Sequence, residues 1–269
     1  MQYQSIQPDS LLREQVGRFW VTEGQIPAGQ SMTFRSMVDA YPGMIFLEDP
    51  AAFFPDHTTA KKPHIFLHGA STFCFEKKLT GKVKIISVHF RPTAICSLFG
   101  IAGHELANNV TDLDSVCKNH LSEQLLNATG TAERIALLNN FLKEQWRQHQ
   151  AVNTAKTQYA IQLLQQGDTT VSLRLLQQQL HITERSLERL FRDQIGLSPK
   201  LIARITRFQK AVNALSHPDT ESLAAIAYKY DYADQSHFIR EFKTFSGTTP
   251  QQFRQQAGAG VENFVEWND

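Results

Sequence analysis

One short pattern occurs twice in the C-terminal third of this 269-residue chain. Leu187, Arg189, Phe191, Gly196 and Pro199 are answered by Phe238, Arg240, Phe242, Gly247 and Pro250, and each pair lies 51 residues apart. A pattern repeated at a fixed period, with an arginine, an aromatic and a Gly-x-x-Pro stop, predicts one helical unit built twice. Both copies open on an N-cap residue, Thr183 in Thr183–Arg189 and Asp234 in Asp234–Arg240. Both then carry hydrogen-bonding side chains on one face, as a helix entering a DNA major groove requires.

The flanking residues predict helix–turn–helix units. Leu173, Leu175, Leu176 and Leu180 recur at helical spacing, His181-Ile182 makes a turn, and Thr183 caps a second helix. Leu187, Leu190 and Phe191 form its buried stripe, leaving Arg185, Glu188, Arg189 and Arg192 on other faces. Gly196 suits the helix end and Pro199 the first turn of the next helix. In the second copy Leu223, Ile226 and Ala227 predict a helix led by Asp219-Thr220. Asp234 caps the next helix, Phe238 and Phe242 take the buried positions, and Gly247 and Pro250 repeat the stop. The helix expected over Leu201–Leu215, about 22 Å long, is a spacer able to hold two recognition helices near the ~34 Å interval of successive major-groove faces.

The run Ile226-Ala227-x4-Tyr232-x-Asp234-Gln235-Ser236-His237-Phe238-x-Arg240-x-Phe242-x4-Gly247-x2-Pro250-x2-Phe253-Arg254 resembles the signature of the AraC/XylS family of bacterial transcription regulators, and Arg207 and Ala211 match its linker-helix pattern. The resemblance implies double-stranded DNA as partner. It places the base-facing positions at Arg185, Glu188 and Arg189 in the first copy and at Gln235, Ser236, His237 and Arg240 in the second. It also suggests a homodimer, a small-molecule effector and RNA polymerase as further partners. Two positions depart from the family pattern: Asp231 stands where glycine is usual, and Gln177 where a small residue is usual. Aspartate tolerates the left-handed region better than most residues. Arg189 and Arg240 are open to either a base or a phosphate. Glu188 helps only by accepting from a cytosine amino group, and His237 suits packing as well as reading.

Residues 151–256 carry 13 Lys+Arg against 9 Asp+Glu, a net of +4 inside a chain of net +1. That is modest for a DNA-binding domain, so charge placement and dimerisation should govern affinity. No apolar stretch approaches a membrane span and Met1-Gln2-Tyr3-Gln4 does not begin a signal peptide. Cys74, Cys96 and Cys117 lack CxxC spacing, which fits a reducing cytoplasm.

The expected fold class is α+β: a β-rich N-terminal barrel or sandwich with added helices over residues 1–150, an all-α DNA-binding domain over 154–256, and a loosely docked or disordered tail over 257–269. Phe19-Trp20-Val21, Met44–Leu47, His64–Leu67, Thr72–Phe75 and Lys84–Phe90 read as strands. Thr93–Phe99, Asp112–Leu126 and Thr131–Gln148 read as helices. The family resemblance implies effector binding or dimerisation in this half; Phe19-Trp20 and Pro42-Gly43-Met44-Ile45-Phe46 resemble a sensor type found in the same family, which implies no known ligand. The rivals are a ligand-free interaction domain and an N-terminal enzyme. No metal and no cofactor are expected: His57, His64, His68 and His89 form no HxH pair, and no phosphate loop or GxSxG elbow occurs. Cys96, beside Ile95, Leu98 and Phe99, reads as core. The aromatics Trp20, Phe34, Tyr41, Phe46, Phe53, Phe54, Phe66, Phe73, Phe75 and Phe90 fill a core or line an effector pocket.

Overall fold

Two sheets with interleaved strands and a layer of helices form the first half of the chain, a helical domain follows, and one short strand after it returns to the smaller sheet. The computed structural model describes residues 1–54, 62–118, 120–149, 152–166, 173–216, 221–256 and 262–263. His57 and Asp219-Thr220 lie outside them. The first half runs β1 (Gln2–Ile6), β2 (Val16–Gln25), β3 (Met32–Ser36), β4 (Gly43–Leu47), α1 (Pro50–Phe53), β5 (Ile65–His68), β6 (Phe75–Leu79), β7 (Lys82–Phe90), α2 (Ala94–Phe99), α3 (Gly103–Leu106), β8 (Val110–Asp112), α4 (Leu113–Val116), α5 (Leu121–Asn127) and α6 (Thr131–Gln148). The second half runs α7 (Ala155–Gln166), α8 (Leu173–Leu180), α9 (Glu184–Gln194), α10 (Pro199–Leu215), α11 (Leu223–Lys229), α12 (Gln235–Ser246), α13 (Pro250–Gln256) and β9 (Glu262–Asn263).

Strands in the order β1-β2-β7-β4-β5-β8 form one antiparallel sheet, and β6-β3-β9 form a smaller one. Alternation along the strands explains the layers, because successive side chains point to opposite faces. Met44, Phe46, Ile86, Val88 and Phe90 meet α2, α5 and α6, whereas Ile45, Leu47, Val83 and Ile85 face Leu79 and Phe34 of the smaller sheet. Covered on both faces, Gly43–Leu47 is buried throughout, so it reads as a continuous apolar run rather than an alternating one. Arg134 of α6 pins the helical layer to the sheet through Glu48 (2.5 Å).

Several expectations need correction. The Thr72–Phe75 run enters a strand only at Phe75, and β1 and β3 had not been anticipated. The single helix expected over Asp112–Leu126 is two short ones, because Cys117 is extended (φ −124°, ψ 116°). The tail backbone at Glu262–Asn263 pairs in parallel with Phe34–Arg35 of β3. Most of the aromatics pack on one another, as Phe53 does with Phe34, Phe54 and Phe66.

The helical half has its own core, centred on Leu176, Leu187, Phe191, Phe208, Ile226, Phe238 and Phe242. Burying a large apolar side chain fully stabilises by about 1.5–3 kcal/mol, and Phe191, Phe238 and Phe242 are all 0% exposed. Met37, Val38 and Ala40, from the link between β3 and β4, belong to this same core. Val38 N–H donates to Phe245 O (3.1 Å) and Gln209 Nε2 to Val38 O (2.5 Å). One loop of the β-rich half is therefore part of the helical domain.

Candidate nucleic-acid interface

Each recognition helix begins where its sequence places a cap. Thr183 Oγ1 accepts from Ser186 N–H (3.3 Å) to start α9, and Asp234 Oδ1 accepts from His237 N–H (2.6 Å) to start α12. The spacer α10 starts at Ser198 with Pro199 in its first turn, and α11 starts at Ser222, whose hydroxyl accepts from Ala225 N–H (3.1 Å). The cap of α11 is thus Ser222 rather than Asp219-Thr220. Gly247 ends α12 in the left-handed region (φ 76°), and Gly196 (φ 90°) follows the end of α9. Pro250 opens α13.

The 51-residue offset holds for α9 and α12 but changes across the turns. Ile182 N–H donates to Gln177 O and Tyr232 N–H to Ala227 O, a spacing of 50. The second turn holds one extra residue, Ala233, between its hydrogen bond and its cap. His181 and Asp231 both take φ 52°, so each turn uses a non-glycine left-handed residue. Gln177 stays half-buried on α8 and the first unit keeps its turn bond.

On α9, Arg185, Arg189 and Arg192 lie at i, i+4 and i+7 and all are exposed. On α12 the positions 51 later, Ser236, Arg240 and Lys243, are exposed in the same way, with Gln235 exposed at the helix start. Each helix therefore presents one polar, mainly basic stripe of about two turns, with Leu187 and Phe191 or Phe238 and Phe242 anchoring the opposite face. Glu188 sits half-buried at the edge of its stripe. His237 turns inward: Nδ1 accepts from Ala233 N–H (3.4 Å), Nε2 lies 3.9 Å from Glu241 Oε2, and the ring meets Tyr232 edge-on. The structure thus gathers Arg185, Arg189, Gln235, Ser236 and Arg240 on exposed helix faces and sets Glu188 and His237 aside from them.

Sequence reasoning passed over Glu241. It falls among Phe238, Phe242 and Phe245 at helical spacing, so a carboxylate in the apolar stripe was the available signal. Its partners Arg204 and Arg207 sit three residues apart on α10.

The first reader is docked on the β-rich half. Gly103, at the start of α3, touches Ile195 and Gly196 backbone to backbone, and His104 Nδ1 lies 3.8 Å from Asp193 Oδ1. Between that half and helices α7 and α10 is a cleft of about 350 Å³ whose lining includes Arg18, Asp39, Tyr41, Arg91 and Lys210. Of the aromatics singled out from the sequence, Tyr41 alone lines it, and its hydroxyl accepts from Gln165 Nε2 (2.8 Å). Burial pushes the Asp39 carboxyl up to about 7. Burial also raises the thiols of Cys74, Cys96 and Cys117, which works against nucleophilic roles.

Two capped helices with matched exposed stripes, each in its own helix–turn–helix unit and the units joined by α10, make a double helix–turn–helix arrangement. Residues 176–256 match the family described as "Helix-turn-helix domain", and residues 4–112 match a domain of unknown function (DUF6597). The likeness to helix–turn–helix regulators lies in the C-terminal third of the chain. It is 29% identical over 92 residues to the HTH-type transcriptional activator RhaS of Escherichia fergusonii, covering 34% of this chain and 33% of that protein. It is also 29% identical over 107 residues to an uncharacterised HTH-type transcriptional regulator of Haemophilus influenzae, covering 40% and 34%. The chain therefore spans about a third of the length of these relatives. Among solved structures, ToxT from Vibrio cholerae aligns at 10% identity with a TM-score of 0.48, over 88% of this chain and 98% of that one.

Proposed function

We propose that this chain is a sequence-specific transcription regulator that inserts α9 and α12 into successive major-groove faces of double-stranded DNA. The carrying observation is the matched pair of exposed stripes, Arg185–Arg189–Arg192 and Ser236–Arg240–Lys243, at one fixed offset. In this reading Arg189 and Arg240 read bases, with Arg185, Gln235 and Ser236 beside them. Glu188 reads only where it accepts from cytosine, and His237 supports the helix start. Residues 154–256 bind DNA and residues 1–150 regulate them, as a homodimer that engages RNA polymerase. The cleft at Arg18, Asp39, Tyr41, Arg91 and Lys210 suits a small polar effector, because a ligand there touches both halves at once.

Arg189→Ala and Arg240→Ala are each expected to weaken specific binding by about 1–3 kcal/mol and to relax base preference at different positions, about one helical turn apart. Binding selections on randomised duplexes read both effects. A uniform loss across all sequences would reassign that arginine to a phosphate.

Affinity should also fall with salt, since each neutralised phosphate contributes about 0.9 to the log–log slope. Arg192 is tied to Asp193, Arg204 to Glu241 and Lys229 to Glu221, while Arg254 donates to Glu221 O. Arg174, Lys200 and Lys243 remain exposed beside the readers. The expected slope per bound chain is therefore nearer 4 than 8 in magnitude. A flat salt titration on every duplex would remove the DNA-binding reading.

A further inference from the structure

The second recognition helix is tied to the spacer by two arginines that converge on one buried carboxylate, where the first copy has Leu190. Glu241 lies on the inner face of α12 with its side chain 3% exposed. Its Oε2 accepts from Arg204 Nε at 2.8 Å and its Oε1 from Arg207 Nη2 at 2.7 Å, both arginines coming from α10. Arg207 also donates through Nη1 to Asp231 O (3.1 Å), the carbonyl of the left-handed turn residue, and its guanidinium lies 4.2 Å from the Tyr232 ring centroid. One carboxylate thus connects the spacer, the α11–α12 turn and the reader helix. Fifty-one residues earlier the equivalent position is Leu190, and α9 is held by apolar packing and by its docking on α3.

A cluster like this is a poor choice for stability alone. Taking the Glu241 carboxylate and most of Arg207 out of water, while Arg204 stays 43% exposed, costs about as much as their attraction returns, so an apolar side chain of similar volume usually holds such a position at least as well. The first copy has Leu190 at this position, only partly buried, and α9 is held by Leu187 and Phe191 instead. What the cluster adds is direction: two bidentate-capable guanidinium groups fix a carboxylate in angle as well as distance, whereas apolar contacts tolerate sliding. Arg240, the exposed arginine of the stripe, is the residue next to Glu241, so any rotation of α12 on α10 moves its guanidinium relative to a base edge.

We infer that Glu241, held by Arg204 and Arg207, is a positioning residue that sets the angle of the second recognition helix on the spacer, and so governs base preference at the second half of the binding site. This rests on the reading of α12 as a DNA reader. Glu241 itself touches no DNA; it acts through Arg240, Ser236 and Gln235. The second reader is aimed by charge from the spacer, and the first by contact with the N-terminal half.

The test measures position-resolved base preference, by binding selection on randomised duplexes, for the full chain and for Glu241→Gln, Glu241→Leu and Arg207→Gln, with thermal unfolding of each. Glu241→Leu copies the first unit and should unfold within a few degrees of the parent protein. It should nevertheless lose roughly tenfold in affinity for the preferred site, with flattened preference at the bases read by α12 and unchanged preference at those read by α9. Glu241→Gln and Arg207→Gln should produce the same one-sided loss, and their double variant little more than either alone. Unchanged preference at both half-sites in a folded Glu241→Leu protein overturns the inference. So does a loss spread evenly over both half-sites, or failure of all three variants to fold, since the cluster would then hold the domain together rather than aim the helix. A parent chain without base preference anywhere would instead defeat the DNA-reading proposal itself.

Discussion

Replacing Gly103 with valine is expected to detach the first recognition helix from the N-terminal half and to destabilise the chain by about 3 kcal/mol or more. A Cβ at Gly103 would overlap Ile195 C and Gly196 N and lie 2.7 Å from Ile195 N. Those are backbone atoms at the end of a helix, so no rotamer change relieves the overlap. The opposing glycine is equally constrained: a Cβ on Gly196 would sit 2.7 Å from Gly103 C, and its φ of 90° strains any L side chain. Either α3 moves off α9 or the end of α9 unwinds. Urea unfolding should show the loss. Gly130→Ser is the control, because nothing lies within 4 Å of a Cβ there and serine is a good N-cap for α6. If Gly103→Val kept wild-type stability and DNA affinity, the docking of α9 on α3 would be dispensable.

The helical half was legible in the sequence because its determinants are local. Thr183, Asp234, Gly196, Gly247, Pro199 and Pro250 each act within about one turn of where they stand, and the apolar stripes need only the helical period. The extra residue at Ala233 went unseen because the offset of 51 was measured on the reader helices, and neither turn carries a glycine to mark it. Ser222 was missed because Asp219-Thr220 offered an equally good cap three residues earlier. The β-rich half was less legible for the opposite reason. Strand β1, Gln2–Ile6, is exposed over Gln2–Ser5 and has no alternating pattern; it exists through pairing with β2, which no window of a few residues contains. Gly103 shows the limit most directly. Its neighbour is Gly196, 93 positions away, and only the packed halves reveal why a side chain does not fit. The base-facing assignments came from resemblance, and the geometry separates them by exposure, with Arg189 and Arg240 outward and His237 inward.

Stability between pH 7.5 and pH 5 is expected to reflect two half-buried groups that oppose each other, and single variants should unmask each. His89 is pulled from the ordinary 6.5 down to about 3, first by burial and then by His68 and Arg18. Its folded pKa lies below the unfolded one, so the unfolded chain takes the proton first as pH falls. The stability tied to neutral His89 is complete above about 6.5 and drains toward pH 3, by about 2 kcal/mol at pH 5. Asp39 has the reverse sign. Burial raises its carboxyl from 3.8 to about 7, so the folded chain holds the proton more tightly, and stability rises as pH falls from 7 toward 4. The two slopes nearly cancel over pH 5–7, and the parent protein should show a shallow profile there. His89→Phe, which keeps a ring against Trp20, should leave a protein that grows more stable on acidification. Asp39→Asn should leave one that loses about 2 kcal/mol by pH 5. Both side chains keep some surface, so solvent screening lowers these magnitudes and leaves their signs unchanged. Urea titrations at pH 5 and 7.5 on the three proteins measure them. Parallel profiles for all three would mean that neither group titrates abnormally in the folded chain.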